Sequence, residues 1–312
     1  MLSDSLNQKQ IILGDIKAEK LEIKEPVNIR GEKAAFINEK YGEHPRNNFD
    51  IWLADSEKPT PLVIYIHGGG FVGGDKSKYF DSPDLVRFLD AGVSVAVINY
   101  RFMTEAPYGI MASFQDSKRC LQYIRHNAGK YNIDKTRIAC SGGSAGAGTA
   151  LWLNFSDDMA DPENEDPVLR ESTRLTCAGA FATQSTYDIF QWKKTIGIPM
   201  AETREQLISI ATAFGIRYQN GTDLFKKYEK RKELDFLAKM DKEDPPVFVY
   251  NKHRAGVPET QDDLNHHPLH AKVIKEKADE VGHESIVYAP ELGIVDPSGK
   301  DLVQFFLEKF SM

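Results

Sequence analysis

The sequence predicts an α/β fold: a mostly parallel central sheet flanked by helices, with a helical cap inserted late in the chain. Three observations carry this reading. Leu62 to Ile66 is a continuous apolar run, the pattern of a strand buried on both faces rather than on one, and Val93 to Tyr100 and Val247 to Tyr250 read as further strands. Helical spacing fills the intervals between them, as at Met111 to Ala128, where Cys120, Leu121 and Ile124 share a face. Strands alternating with helices imply right-handed crossovers onto a single sheet.

The 312 residues suit one α/β domain, residues 1–312, carrying a cap at about 188–243. A hydrophobic content of 41% with 27% charged residues fits a globular chain. The net charge of -7 argues against a nucleic-acid partner. The odd number of cysteines, Cys120, Cys140 and Cys177, each in an apolar segment, points to buried thiols rather than a disulfide framework. No apolar run reaches the roughly 18 residues of a membrane span. The polar start, Met1 to Gln10, has no apolar leader core, so the expected location is the cytoplasm, or outside the cell if a leader has been removed.

Taken in order, residues 1–25 read as a helix or loose arm. Pro26 to Tyr41 and Asn48 to Ala54 alternate weakly and suggest two antiparallel edge strands. The run Leu62 to Ile66 feeds His67-Gly68-Gly69-Gly70-Phe71, and a helix follows over Pro83 to Asp90. After Val93 to Tyr100 comes Arg101 with Glu105-Ala106-Pro107, then the helix from Met111. Ile138 to Cys140 is a short buried strand and Ala145 to Leu153 a helix. The acidic stretch Asp157 to Glu171 is a surface excursion, and Leu175 to Ala182 a strand. The cap carries helical patterns at Glu205 to Phe214 and Asp223 to Met240, and Pro245-Pro246 ends it. A loop covers Asn251 to His266, a helix runs from Pro268 to about Val281, Ser285 to Tyr288 is the last strand, and Lys300 to Phe310 the terminal helix.

Between Cys140 and Ala145 lies Gly142-x-Ser144-x-Gly146, the pattern of a nucleophile elbow. A strand that turns directly into a helix forces its apex residue into a strained backbone conformation, and small residues two before and two after let the chains approach. The apex hydroxyl then stands above the sheet over a helix N-terminus. The successive glycines after His67 add a second feature: backbone N–H groups aimed at one spot, as acyl transfer needs where a carbonyl oxygen becomes an anion.

Together, His67-Gly68-Gly69-Gly70, Tyr100-Arg101 with Glu105-Ala106-Pro107, and Gly142-Gly143-Ser144-Ala145-Gly146 resemble the α/β-hydrolase fold, in its hormone-sensitive-lipase-like and feruloyl-esterase-like carboxylesterase branch. The likeness runs from about Leu62 to Phe310. It implies a serine carboxylic-ester hydrolase acting on short-chain or small acyl esters, with Ser144 as nucleophile and the N–H groups of Gly69, Gly70 and Ala145 as oxyanion hole. His67 then supports its loop rather than acting as base, and Arg101 and Glu105 form a structural pair. No cofactor or metal is required. The partner is a small-molecule ester, and an exposed edge strand leaves a homo-oligomer open.

One departure stands out. The family places its histidine after the last strand, but Pro290 to Gly299 contains none. His283, before that strand, falls at the far end of a parallel sheet and reads as a surface residue, as do His44 and His126. The loop after Val247 to Tyr250 is where the base is sought, since it opens on the same side as Ser144. Its carboxylates are Glu259, Asp262 and Asp263. Counting back from His270-Ala271, which resembles an aromatic-Ala pair of the family, selects Asp262 as the acid, with Asp263 next. For the base, His266 is preferred. His267 would serve as the N-cap before Pro268, His253 is a third candidate, and His270 sits on the helix flank. Phe71, Phe190, Trp192 and Phe214 are candidate pocket lining. The missing histidine also motivates an alternative: a catalytically impaired hydrolase fold that binds a small hydrophobic or ester-like ligand.

Overall fold

The computed structural model describes residues 24–105, 109–197 and 228–312. Its centre is an eight-stranded sheet in the order β1-β2-β4-β3-β5-β6-β7-β8. The strands are β1 (Phe36–Lys40), β2 (Asn48–Trp52), β3 (Thr60–Ile66), β4 (Ser94–Ile98), β5 (Ile133–Gly143), β6 (Ala178–Phe181), β7 (Val247–Tyr250) and β8 (Ser285–Tyr288). β1 and β2 pair antiparallel, β2 meets β4 antiparallel, and every pairing from β4 through β8 is parallel. Both expected edge strands are present, shorter than their sequence segments.

The continuous apolar runs work because a strand divides its side chains between two cores. Leu62, Ile64 and Ile66 of β3 join Ala96 and Ile98 of β4 on one face; Val63 and Tyr65 join Val95 and Val97 on the other. On the first face lie α2 (Ile110–His126), α3 (Ala145–Asn154) and α7 (Leu269–Val281), which contribute Phe114, Leu151 and Ile274. On the second lie α1 (Pro83–Asp90) and α8 (Leu302–Lys309), which contribute Phe88 and Phe306. Cys120, Cys140 and Cys177 are free and buried. No described helix is long and apolar enough to cross a membrane.

Four expectations are corrected. Arg101 does not pair with Glu105: its guanidinium forks onto Asp116 at 2.6 and 2.9 Å, while Glu105 accepts the N–H of Phe102. The reason is that Asp116 is buried on α2, where an unpaired carboxylate would be costly. His283 is buried rather than exposed, because its Nε2 binds the Pro245 carbonyl at 3.1 Å and its ring packs edge-on to Phe155. His270 lies not on the helix flank but fully buried, because its Nδ1 accepts the Ser185 N–H at 3.1 Å. The stretch Asn251 to His266 is not all loop: it contains a short helix, α6 (Gln261–Asn265).

Of the cap segment, the helix expected at Glu205 to Phe214 lies outside the described residues, as does most of the segment. Its described parts include the short helices α4 (Trp192–Thr195) and α5 (Tyr228–Leu234). A buried Asp188–Arg231 ion pair at 2.9 Å joins its two described ends.

Candidate active site

β5 runs straight into α3, and Ser144 is the residue at the junction. Its backbone sits at φ 52°, ψ -119°, a conformation that costs a non-glycine residue about 1–3 kcal/mol. The surroundings hold it there. The Ser144 N–H donates to the Phe181 carbonyl at 2.8 Å, and its carbonyl accepts from Gly148 at 3.0 Å. Gly146 permits the close crossing: a Cβ there would lie 1.9 Å from the Ile66 oxygen.

The glycine loop after β3 faces this junction. Gly69 has φ +119° and a Cβ on it would fall 2.2 Å from the Gly73 carbonyl oxygen, so only glycine fits. The N–H groups of Gly69 and Gly70 make no backbone hydrogen bond to another described residue. Ala145 is the first residue of α3, where N–H groups lack an intrahelical acceptor. His67 is fully buried and stacked on Tyr100, its ring centroid 4.2 Å away. Burial pushes its pKa down to about 3, so the ring is neutral.

Arg46 had no sequence signal, yet it fixes this loop. One of its nitrogens lies 3.1 Å from His67 Nε2 and 2.9 Å from the Gly74 oxygen, and its guanidinium covers Phe102 at 3.9 Å. Because guanidinium only donates, His67 Nε2 must accept. The proton then sits on Nδ1, which donates to the Gly68 carbonyl at 2.8 Å.

On the opposite wall, α6 carries Asp262 and ends at His266. His266 Nε2 is 2.7 Å from Ser144 Oγ. Asp262 Oδ1 approaches His266 Nδ1 at 2.9 Å, but off the line of an aligned hydrogen bond. The His266 side chain is 14% exposed and that of Asp262 75%. Burial lowers the His266 pKa, the Asp262 charge opposes that shift, and nearby His253 reinforces it. The His253 ring lies nearly parallel to that of His266, centroids 5.1 Å apart.

The other loop candidates are occupied elsewhere. Asp263 closes a capping box with Thr260 at the start of α6, and Glu259 pairs with Arg254 in solvent. His267 accepts the Leu269 N–H on Nδ1 at 3.2 Å, the backbone service expected of a capping residue.

Ser144, His253, Asp262 and His266 line a cleft of about 600 Å³, which Gly68 to Gly70, Lys78, Tyr79, Phe181 and Asn265 also border. The expected apolar lining is corrected at Phe71 and Trp192. Phe71 packs in the core against Phe114 and Tyr187, and Trp192 is buried with its Nε1 on the Thr186 carbonyl. Phe190 lies under the Arg231 guanidinium, and Phe214 is outside the described residues. A separate surface cleft of about 470 Å³ beside Leu237 and Val273 contains neither serine nor histidine. Among the described residues, no group of three or more His, Cys, Asp or Glu side chains is placed to hold a metal ion.

Residues 49–264 match the family model BD-FAE, well over half of the chain. The chain belongs to the BD-FAE family. The BD-FAE match takes in the glycine loop and the Ser144 junction, and stops two residues before His266. Over 108 residues the chain is 32% identical to a probable isoprenylcysteine alpha-carbonyl methylesterase of Oryza sativa subsp. japonica, covering 34% of this chain and 25% of that protein. It is also 32% identical over 103 residues to the carboxylesterase NlhH of Mycobacterium tuberculosis, covering 33% of this chain and 31% of that one. The matches thus span about a quarter to a third of the length of these relatives.

Among solved structures, a truncated carbohydrate esterase from gut microbiota superposes with a TM-score of 0.65 at 18% identity, over 89% of this BD-FAE chain and 96% of that one. A thermophilic esterase of Thermogutta terrifontis gives 0.58 at 14% identity, over 88% of each chain. These neighbours establish the α/β-hydrolase fold.

Proposed function

We propose that this chain is a serine carboxylic-ester hydrolase acting on short-chain or small acyl esters. The observation that carries the reading is the 2.7 Å approach of His266 Nε2 to Ser144 Oγ, at the mouth of a cleft bordered by the glycine loop. Ser144 Oγ attacks the ester carbonyl while His266 takes its proton. The developing oxyanion lies on the N–H groups of Gly69, Gly70 and Ala145, reinforced by the N-terminus of α3. His266 returns the proton to the leaving alcohol, and a water activated by the same imidazole releases the acid. Asp262 favours the imidazolium that forms in each step. The base has moved from the loop after β8, where the family carries it, to the loop after β7. The likeness to a carboxylesterase and a methylesterase supports an ester as substrate.

The second reading, an impaired hydrolase fold that only binds an ester-like molecule, draws on the poor alignment and exposure of Asp262. One experiment separates the two. The intact protein and Ser144→Ala are assayed with p-nitrophenyl acetate and butyrate and labelled with a fluorophosphonate. Hydrolysis and labelling that both vanish in Ser144→Ala establish the esterase. Background rates and no labelling in the unmodified protein refute it in favour of the binder.

A further inference from the structure

α6 has only five residues, and a helix that short is not held by its own hydrogen bonds. Its C-terminal carbonyls also lack a helical continuation. Pro268 has no N–H to offer. The N–H of Leu269 goes to His267 Nδ1, and that of His270 to the His267 carbonyl. Three consecutive carbonyls, of Leu264, Asn265 and His266, instead meet side chains from other parts of the fold.

His270 Nε2, on α7, lies 3.3 Å from the Leu264 oxygen, which also receives a long bond from the His267 N–H at 3.4 Å. Gln184 Nε2, after β6, donates to the Asn265 oxygen at 2.6 Å. Asn251 Nδ2, after β7, donates to the His266 oxygen at 3.0 Å. The three side chains are 0%, 4% and 1% exposed, respectively.

Each is itself fixed by a partner on its other polar atom. His270 Nδ1 accepts the Ser185 N–H at 3.1 Å, which leaves the proton on Nε2. Asn251 Oδ1 accepts the His253 N–H at 2.9 Å. Gln184 Oε1 accepts from the Tyr187 hydroxyl at 2.9 Å. That hydroxyl oxygen also lies 3.5 Å from the carbonyl oxygens of Ser144 and Ala145. With its one proton on Gln184, the Tyr187 hydroxyl ends this buried chain of hydrogen bonds beside the turn bearing Ser144.

We infer that Gln184, Asn251 and His270 are a carbonyl clamp that positions His266 against Ser144. The clamp rests on the reading of His266 as base. None of the three touches the reacting atoms in that reading, so each is a positioning residue. Their donors supply from outside the geometry that a longer helix would supply from within. A misplacement of a reacting group by about 1 Å can cost on the order of 100-fold in rate.

The test uses the full chain carrying Gln184→Met or Asn251→Leu, each close in volume to the original and without an amide donor. Two readouts are taken: the ¹⁵N imidazole signals of His266, assigned against His266→Gln, and kcat and KM for p-nitrophenyl acetate. The clamp predicts shifted or broadened His266 signals in both variants, with kcat lower by about 10- to 100-fold and KM little changed. Where Asn251→Leu fails to fold, Gln184→Met alone decides. Unmodified His266 signals overturn the clamp, whether kcat is kept or falls, since a fall without them reports general loosening. Signals that move in a protein inactive towards esters uphold the clamp and overturn His266 as base.

Discussion

Replacing Asp262 by Asn removes the charge next to His266 Nδ1 and keeps the side-chain shape. Where the acid of a Ser-His-Asp triad is buried and aligned, this change costs on the order of 10⁴ in rate. Asp262 is different: its side chain is 75% exposed and its oxygen, at 2.9 Å, is out of line with Nδ1. Opposite unit charges at such a separation attract by about 1–2 kcal/mol in a water-like dielectric, and by several-fold more only in a low-dielectric interior away from water. Exposure places Asp262 near the lower figure, and salt reduces it further. The imidazolium formed in the transition state then gains about 1–2 kcal/mol, so Asp262→Asn lowers kcat/KM by roughly 5- to 30-fold. The assay is p-nitrophenyl acetate hydrolysis at pH 8 in low and high salt, with the gap between the two proteins narrowing as salt rises. A loss above about 10³-fold would refute the reasoning, because it would require a desolvated, aligned carboxylate. An unchanged rate at low salt would remove Asp262 from the site.

Two further outcomes follow from the same geometry. Burial lowers the His266 pKa, and a base must be neutral to act, so kcat/KM rises along one limb with its midpoint below the ordinary histidine value of about 6.5. His253→Phe removes a neighbour that depresses this pKa and moves the midpoint up; Asp262→Asn removes one that raises it and moves the midpoint down. Midpoints moving together would contradict the arrangement. Gly146→Ala drives a Cβ to 1.9 Å from the Ile66 oxygen, against backbone that cannot yield. It lowers stability at or beyond the upper end of the ~1–3 kcal/mol overpacking range, while Gly129→Ala, with open space around it, leaves the thermal melt in place.

The sheet was legible because burial on both faces writes itself into β3 and β4 as unbroken apolar runs, and the helices between them keep their spacing. The junction at Ser144 was legible because its demand for small residues is local. Arg46 was not: it reaches His67 through a tertiary approach that no neighbour in the sequence announces. His283 likewise owes its burial to the Pro245 carbonyl, distant in the chain. α6 is the instructive omission. Thr260-x-x-Asp263 is a capping-box signature, and it commits Asp263 to the helix start. Once a helix is read there, Asp262 and His266 stand four residues apart and share a face, which the chain read as loop does not reveal. The carbonyl of Leu264 loses its helical partner for a reason visible in Pro268, and those of Asn265 and His266 lose theirs because the N–H groups of Leu269 and His270 turn to His267; which side chains would answer depended on the assembled fold.

Placing the acid candidate on a five-residue helix and the base candidate at its C-cap has a mechanical consequence. Where these groups sit on separate loops, each must be registered to the serine independently, and either can drift without the other. Here one short segment carries both, so the side chains that hold its C-terminal carbonyls bear on both distances at once. In the proposed mechanism the turn after β8, where Ala289 and Ile294 close a small bridge, holds no reacting group. On that reading, an insertion grafted into this turn leaves the geometry around Ser144 undisturbed.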